Sequence, residues 1–168
     1  GLQVWLDAVQ DPGNAGTLIR TAAAAGATAV VLGPGCADPW SPKALRAGMG
    51  GHFATNVVSD VPWSDAADGF RGKILALALD GSRSLYETDL DGDVAILLGN
   101  EGAGLSPGVA ALATASVNIP MPGAVESLNV AAAGAIEQAR AGLGLKLAQH
   151  GGEGGLGDAV RAGRGAER

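Results

Sequence analysis

Short apolar runs alternate with stretches whose small and apolar residues recur at helical spacing, and the alternation persists from residue 4 to residue 149. Strands are predicted at Val4–Leu6, Ala29–Leu32, Ala54–Val58, Ile74–Leu79, Val94–Leu98 and Val117–Ile119. Between them, Asn14 caps an alanine-rich helix that runs to about Ala25 and stops at Gly26. A loop over Pro34–Pro42 precedes a short helix at Lys43–Ala47, and Pro62 opens another that reaches about Phe70. A short helix starts at Ser106, and a long one spans about Ser127–Gln149. Ile74–Leu79 and Val94–Leu98 are continuously apolar, as parallel strands covered on both faces must be. The fold class that follows is α/β, a mostly parallel sheet flanked by helices.

From Gly151 the glycine-rich end cannot bury enough apolar surface to order itself. One domain over residues 1–150 and a disordered tail over 151–168 are expected, a size consistent with a single core. Composition narrows the packing: 47% hydrophobic residues with only 4% aromatic means a core of Ala, Val, Leu and Ile, suited to helices lying close on a sheet. Cys36 is the sole cysteine and can form no internal disulfide, while no apolar run approaches the roughly 20 residues of a membrane span. A soluble protein of a reducing compartment, the cytoplasm, is expected, without membrane or metal. The chain opens directly on the strand-like Gly1–Leu6 with no starting methionine, as an excised fragment would, so a further segment is expected upstream.

Three segments hold more polar and glycine residues than packing requires. The first, Asp11-Pro12-Gly13-Asn14-Ala15-Gly16 with Arg20 following, starts a helix with free N–H groups and carries a guanidinium within two turns of its start, on the crevice side of the sheet. An ordinary capped helix with a solvated arginine would read the same. The second, Gly99-Asn100-Glu101-Gly102-Ala103-Gly104, follows a buried strand and lets the backbone approach a ligand closely. It could also be a tight turn, but it lacks the spacing and position of a dinucleotide-binding loop. The third, Ile119-Pro120-Met121-Pro122-Gly123 leading to Glu126, Ser127, Leu128 and Asn129, supplies three polar residues where one would cap a helix.

In this order the three segments resemble the signature motifs of the SpoU (TrmH-like) RNA 2′-O-ribose methyltransferases, within the SPOUT class. The resemblance runs from about Leu6 to Gln149 and rests on Pro-Gly-Asn-x-Gly with its Arg, Gly-Asn-Glu-Gly-x-Gly, and Ile-Pro-Met-x-Gly-x-x-x-Ser-Leu-Asn-Val. It implies a C-terminal deep trefoil knot, a rare exception to unknotted connections. It implies S-adenosylmethionine as cofactor and S-adenosylhomocysteine as product, held by Leu98, Gly99, Asn100, Gly102, Ile119, Met121 and Leu128, with Leu77 and Leu79 lining the same pocket. Asn14, Arg20, Glu101, Ser127 and Asn129 then surround the reacting ribose of a tRNA or rRNA.

The resemblance further implies that Arg20 stabilises the developing alkoxide or accepts its proton. The electrostatic role is favoured, because a guanidinium is so weak an acid that it resists deprotonation. Lys43 and Arg46, two cations on one short helix, are candidate phosphate contacts alongside Arg20, although a solvated face would look alike. They bear on a difficulty, since a net charge of −6 is unusual for an RNA-binding protein and confines any contact to a local patch. His52 and Cys36 are read as structural or surface residues, because no partner lies at triad or metal-ligand spacing. Small residues along the last helix, including Ala131, Ala135 and Ala139, allow a second helix to approach, and the family pairs there as a homodimer. A catalytically inactive RNA-binding module of the same fold is the alternative, and a nucleotide-dependent oxidoreductase is a third reading disfavoured by the glycine spacing.

Overall fold

The computed structural model describes residues 1–119, in which the strands assemble into one seven-stranded sheet of order β3-β2-β1-β6-β4-β7-β5. These are β1 (Leu2–Leu6), β2 (Ala29–Leu32), β3 (Asn56–Val58), β4 (Lys73–Leu77), β5 (Arg83–Ser84), β6 (Val94–Leu98) and β7 (Ala115–Asn118), and all their pairings are parallel. The helices are α1 (Pro12–Ala24), α2 (Pro42–Gly48), α3 (Trp63–Gly69) and α4 (Pro107–Ala110). None of these is long and apolar enough to cross a membrane.

Period-two alternation sorts the side chains of the central strands into two layers. Val4, Leu6, Ile96 and Leu98 join Leu18, Ile19 and Ala22 of α1 in one core, whereas Trp5, Ala95 and Leu97 join Ile74 and Val109 in the other. Three of the six aromatic residues gather in the second layer, where Trp5 stacks on Trp63 at 5.8 Å and meets Phe70 edge-on at 5.5 Å. Both faces of the central strands are covered, so β2 and β6 are apolar throughout.

Several boundaries differ from the sequence reading. The cap of α1 is Asp11, whose side chain accepts the Asn14 N–H at 2.9 Å, and Pro12 occupies the first turn, where no N–H is required. β3 starts at Asn56 because Gly51–Phe53 wind into a 3-10 turn. β4 ends at Leu77: the chain then turns back, with the Gly81 N–H on the Ala78 carbonyl, and presses Gly81 so close to β7 that a Cβ there would lie 2.3 Å from the Val117 carbonyl carbon. The polar two-residue strand β5 has no apolar signature to announce it. The predicted long helix and the tail lie outside the described residues.

From β1 the chain fills one side of the sheet with β2 and β3, then crosses to build the other side with β4 to β7. Because β1, β6 and β4 are parallel, the loops after Leu6, Leu98 and Leu77 emerge at one edge of the sheet. That edge is where open parallel sheets place their ligands.

Candidate active site

At this edge lies a cleft of about 700 Å³, walled on one side by Ala76–Asp80 and on the other by Gly99–Leu105. Ala110 and Ala113 close it further, so its walls are mostly small aliphatic side chains and main chain. The glycine segment forms one wall as a compact turn. Asn100 and Gly104 exchange two backbone hydrogen bonds of 3.0 and 2.9 Å, and the Asn100 Oδ1 accepts the N–H groups of Gly102 and Ala103. Its Nδ2 donates to the Ala8 carbonyl at 2.9 Å, tying the turn to the loop after β1. Gly99 admits no side chain, since a Cβ would lie 2.3 Å from the Gly104 carbonyl carbon, and Gly104 itself adopts φ +69°.

The structure brings together the first two motifs: the Asn14 Nδ2 donates to the Glu101 Oε1. Arg20 lies apart from this contact. Arg20 is exposed about 9 Å further along α1 from Asn14, and it is not among the residues lining the cleft. The backbone of Gly51 abuts it there, a Cβ at that glycine reaching within 2.8 Å of the Arg20 Cα. Of the expected cofactor contacts, Leu77, Leu79, Gly99, Asn100 and Gly102 line the cleft. The Leu98 side chain points instead into the α1 layer, as strand alternation dictates, and its carbonyl accepts the Asp7 N–H at 2.8 Å. Ile119 packs half-buried against the same core. Met121, Ser127, Leu128 and Asn129 lie outside the described residues.

Lys43 pairs with Asp11 at 2.5 Å, and this ammonium, with the Asn14 N–H, holds the Asp11 carboxyl below its ordinary value. Arg46 is exposed near the end of α2. His52 is buried, with Nε2 on the Pro39 carbonyl at 2.7 Å, and the Cys36 thiol rests on the Leu6 carbonyl, its pKa raised chiefly by burial.

Sequence reasoning missed Asp7. This carboxylate is 4% exposed and accepts three hydrogen bonds: the Trp63 Nε1–H at 3.2 Å, and the Ser106 N–H and Oγ–H at 3.0 Å each. It therefore fixes the far end of the glycine turn to the end of β1 and to α3. An acidic residue inside the apolar run from Val4 to Val9, at a strand's carboxyl end, is the signal that marked it.

Residues 1–137 match the family model of the SpoU rRNA Methylase family. The chain belongs to that family. Within it, the chain is 43% identical over 133 residues to the 23S rRNA (guanosine(2553)-2′-O)-methyltransferase RlmP of Bacillus subtilis, covering 78% of this chain and 54% of that one. An AdoMet-bound rRNA methyltransferase from Sinorhizobium meliloti superimposes with a TM-score of 0.77 at 36% identity, over 84% of this chain and 56% of the other. The AdoMet complex of the SpoU methyltransferase AviRb from Streptomyces viridochromogenes gives 0.74 at 30% identity, over 83% and 59%. The chain thus spans about half the length of the curated relatives it matches, 54% and 49% for two of them.

Proposed function

We propose that this chain is the catalytic domain, over residues 1–150, of an S-adenosylmethionine-dependent RNA 2′-O-ribose methyltransferase acting on tRNA or rRNA. The observation that carries this reading is the Gly99–Leu105 turn, which walls a cleft of cofactor size and joins the first helix through Asn14 and Glu101. The residues present fit the cofactor. The main chain of the glycine turn and the Ala and Leu walls suit an adenosyl group, while Glu101 and Asp80 supply acceptors at the rim.

When bound, S-adenosylmethionine supplies an activated methyl group on a sulfonium. What remains for the protein is alignment and proton removal, because a ribose hydroxyl is a poor nucleophile. Leu77, Leu79, Gly99, Asn100 and Gly102 would hold that cofactor, which would give up its methyl group to the 2′-oxygen and leave as S-adenosylhomocysteine, the hydroxyl proton passing to water. Glu101, held by Asn14, orients the ribose, and the Arg20 guanidinium stabilises the negative charge gathering on the oxygen. Because Arg20 does not line the cleft among the described residues, it reaches that oxygen either by swinging across from α1 or by entering from the second subunit of the proposed homodimer. Ser127 and Asn129 complete the site in this proposal, as do Met121 and Leu128 for the cofactor.

Homodimerisation, the C-terminal knot, a cytoplasmic location and an RNA-binding segment upstream belong to the same reading, supported by the motifs and by family membership. Calorimetry with S-adenosylmethionine, S-adenosylhomocysteine and NAD, followed by methyl transfer to RNA from cells lacking the gene, tests it. Binding of the first two with transfer to a ribose 2′-oxygen is expected. Binding of neither ends the reading, and cofactor binding without transfer by the full-length protein points to the inactive RNA-binding module.

A further inference from the structure

Two large aromatic rings stand exposed beside Arg20, with no role in the cleft. Phe53 is 83% exposed and Trp40 45%, their centroids 6.4 Å apart and their planes inclined by 55°. Burying either ring in the core would release water-exposed apolar surface, yet neither is buried. Both are held firmly from below. Trp40 leans on the buried His52 at 5.3 Å, His52 donates from Nε2 to the Pro39 carbonyl, and the Trp40 N–H is fixed by the Asp38 carboxylate at 2.9 Å. The 3-10 turn that ends in Phe53 is seated on α1 at Arg20, through Gly51.

Charge separates this face from the rest of the molecule. Residues 11–58 hold the cations Arg20, Lys43 and Arg46 against the carboxylates Asp38 and Asp11, the latter paired with Lys43, whereas residues 59–119 hold three cations against nine carboxylates. The α1–α2 face therefore keeps a small cationic excess, from Arg20 and Arg46, on an acidic protein, and the two rings lie beside it. Rigid aromatic faces flanked by cations are what an unpaired nucleic-acid strand needs: the rings stack on bases of any identity, and the cations meet the phosphates.

We infer that Trp40 and Phe53 form a stacking site for unpaired nucleobases of the RNA, with Arg46 and Arg20 contacting the flanking phosphates. The inference rests on the proposed RNA substrate, and it adds that the substrate is engaged as an opened, unstacked strand beside the reacting ribose. The alternative occupant of such a face, a second copy of the chain, is one outcome of the test.

The full chain is titrated, without methyl donor, with a single-stranded oligoadenylate and with the duplex of oligoadenylate and oligouridylate. Trp40→Leu and Phe53→Leu keep the apolar volume and remove the aromatic face. Each is expected to weaken single-strand binding about 10-fold while changing duplex binding much less, and Trp40→Phe should restore most of the loss. Arg46→Ala should weaken both and lower the slope of log affinity against log salt by about one. Unchanged single-strand affinity in both Leu variants overturns the inference. So does an equal loss for single strand and duplex, or a shift from dimer to monomer in sedimentation, which would assign the face to a partner subunit. Failure of the wild-type chain to bind S-adenosylmethionine, by contrast, counts against the proposed cleft and leaves this surface to its own result.

Discussion

Asn14 and Glu101 stand 87 positions apart in sequence, and their contact shows how single side chains couple the motifs. Glu101 is exposed and its partner lies at a helix start, so little stability depends on it. Glu101→Ala is expected to change folding free energy by less than about 0.5 kcal/mol while sharply reducing methyl transfer; Glu101→Gln, which keeps an acceptor for Asn14, should retain more activity than Ala. Thermal melts beside a transfer assay separate the two effects. Asp11 acts by charge. Lys43 holds its carboxyl below the ordinary 3.8, so the folded chain binds that proton more weakly than the unfolded chain does. The stabilisation it gives is therefore present above 3.8 and fades as pH falls through the lower folded value. Asp11→Asn keeps the helix cap but loses the charge, so its stability should lag the wild type at neutral pH and converge with it on acidification, as paired denaturation curves would reveal.

At the scale of elements, the buried carboxylate of Asp7 has the largest predicted effect. Asp7→Ala would strip acceptors from the Trp63 indole and from both donors of Ser106 in a part-buried setting. A loss of about 2–4 kcal/mol is expected, with weakened cofactor binding because Ser106 ends the turn that walls the cleft. Asp7→Asn keeps one acceptor oxygen and should lose less. That residue also shows where sequence reading stops. The strands Val4–Leu6, Ala29–Leu32 and Val94–Leu98 were legible because burial on both faces leaves an unbroken apolar trace, and Gly26 marked the helix end because its φ of +74° favours glycine. Asp7 meets Ser106 across 99 positions, a pairing no local pattern encodes. The α1 cap was placed at Asn14 rather than Asp11 because both residue types cap helices, and only the fold decides which one faces the free N–H. Leu98 was legible as a buried strand residue, but not which layer it enters, since that depends on the packing of α1.

For the molecule as a whole, the proposed function divides the site between the sheet edge and the α1–α2 face. Among the described residues, the glycine turn and β4 wall a cleft that Arg20 does not line; Arg20 stands exposed on α1. This separation makes a sharp prediction. Arg20 is exposed and does not line the cleft, so Arg20→Ala should leave both the melting temperature and the affinity for S-adenosylmethionine close to wild type. Methyl transfer should nevertheless fall by about 10²–10³-fold, the size of effect seen when one preorganised donor to a developing anion is removed. Arg20→Lys distinguishes the two roles a guanidinium could play. If charge on the nascent alkoxide is what matters, an ammonium that reaches the same region restores part of the rate and leaves the pH dependence of kcat unchanged. If Arg20 takes the proton, lysine brings a much lower pKa, and the rate should rise with pH along a new limb centred on that amine. A flat profile with partial rescue is the expected result, because nothing near Arg20 in the described residues buries it in the way a neutral guanidine would require.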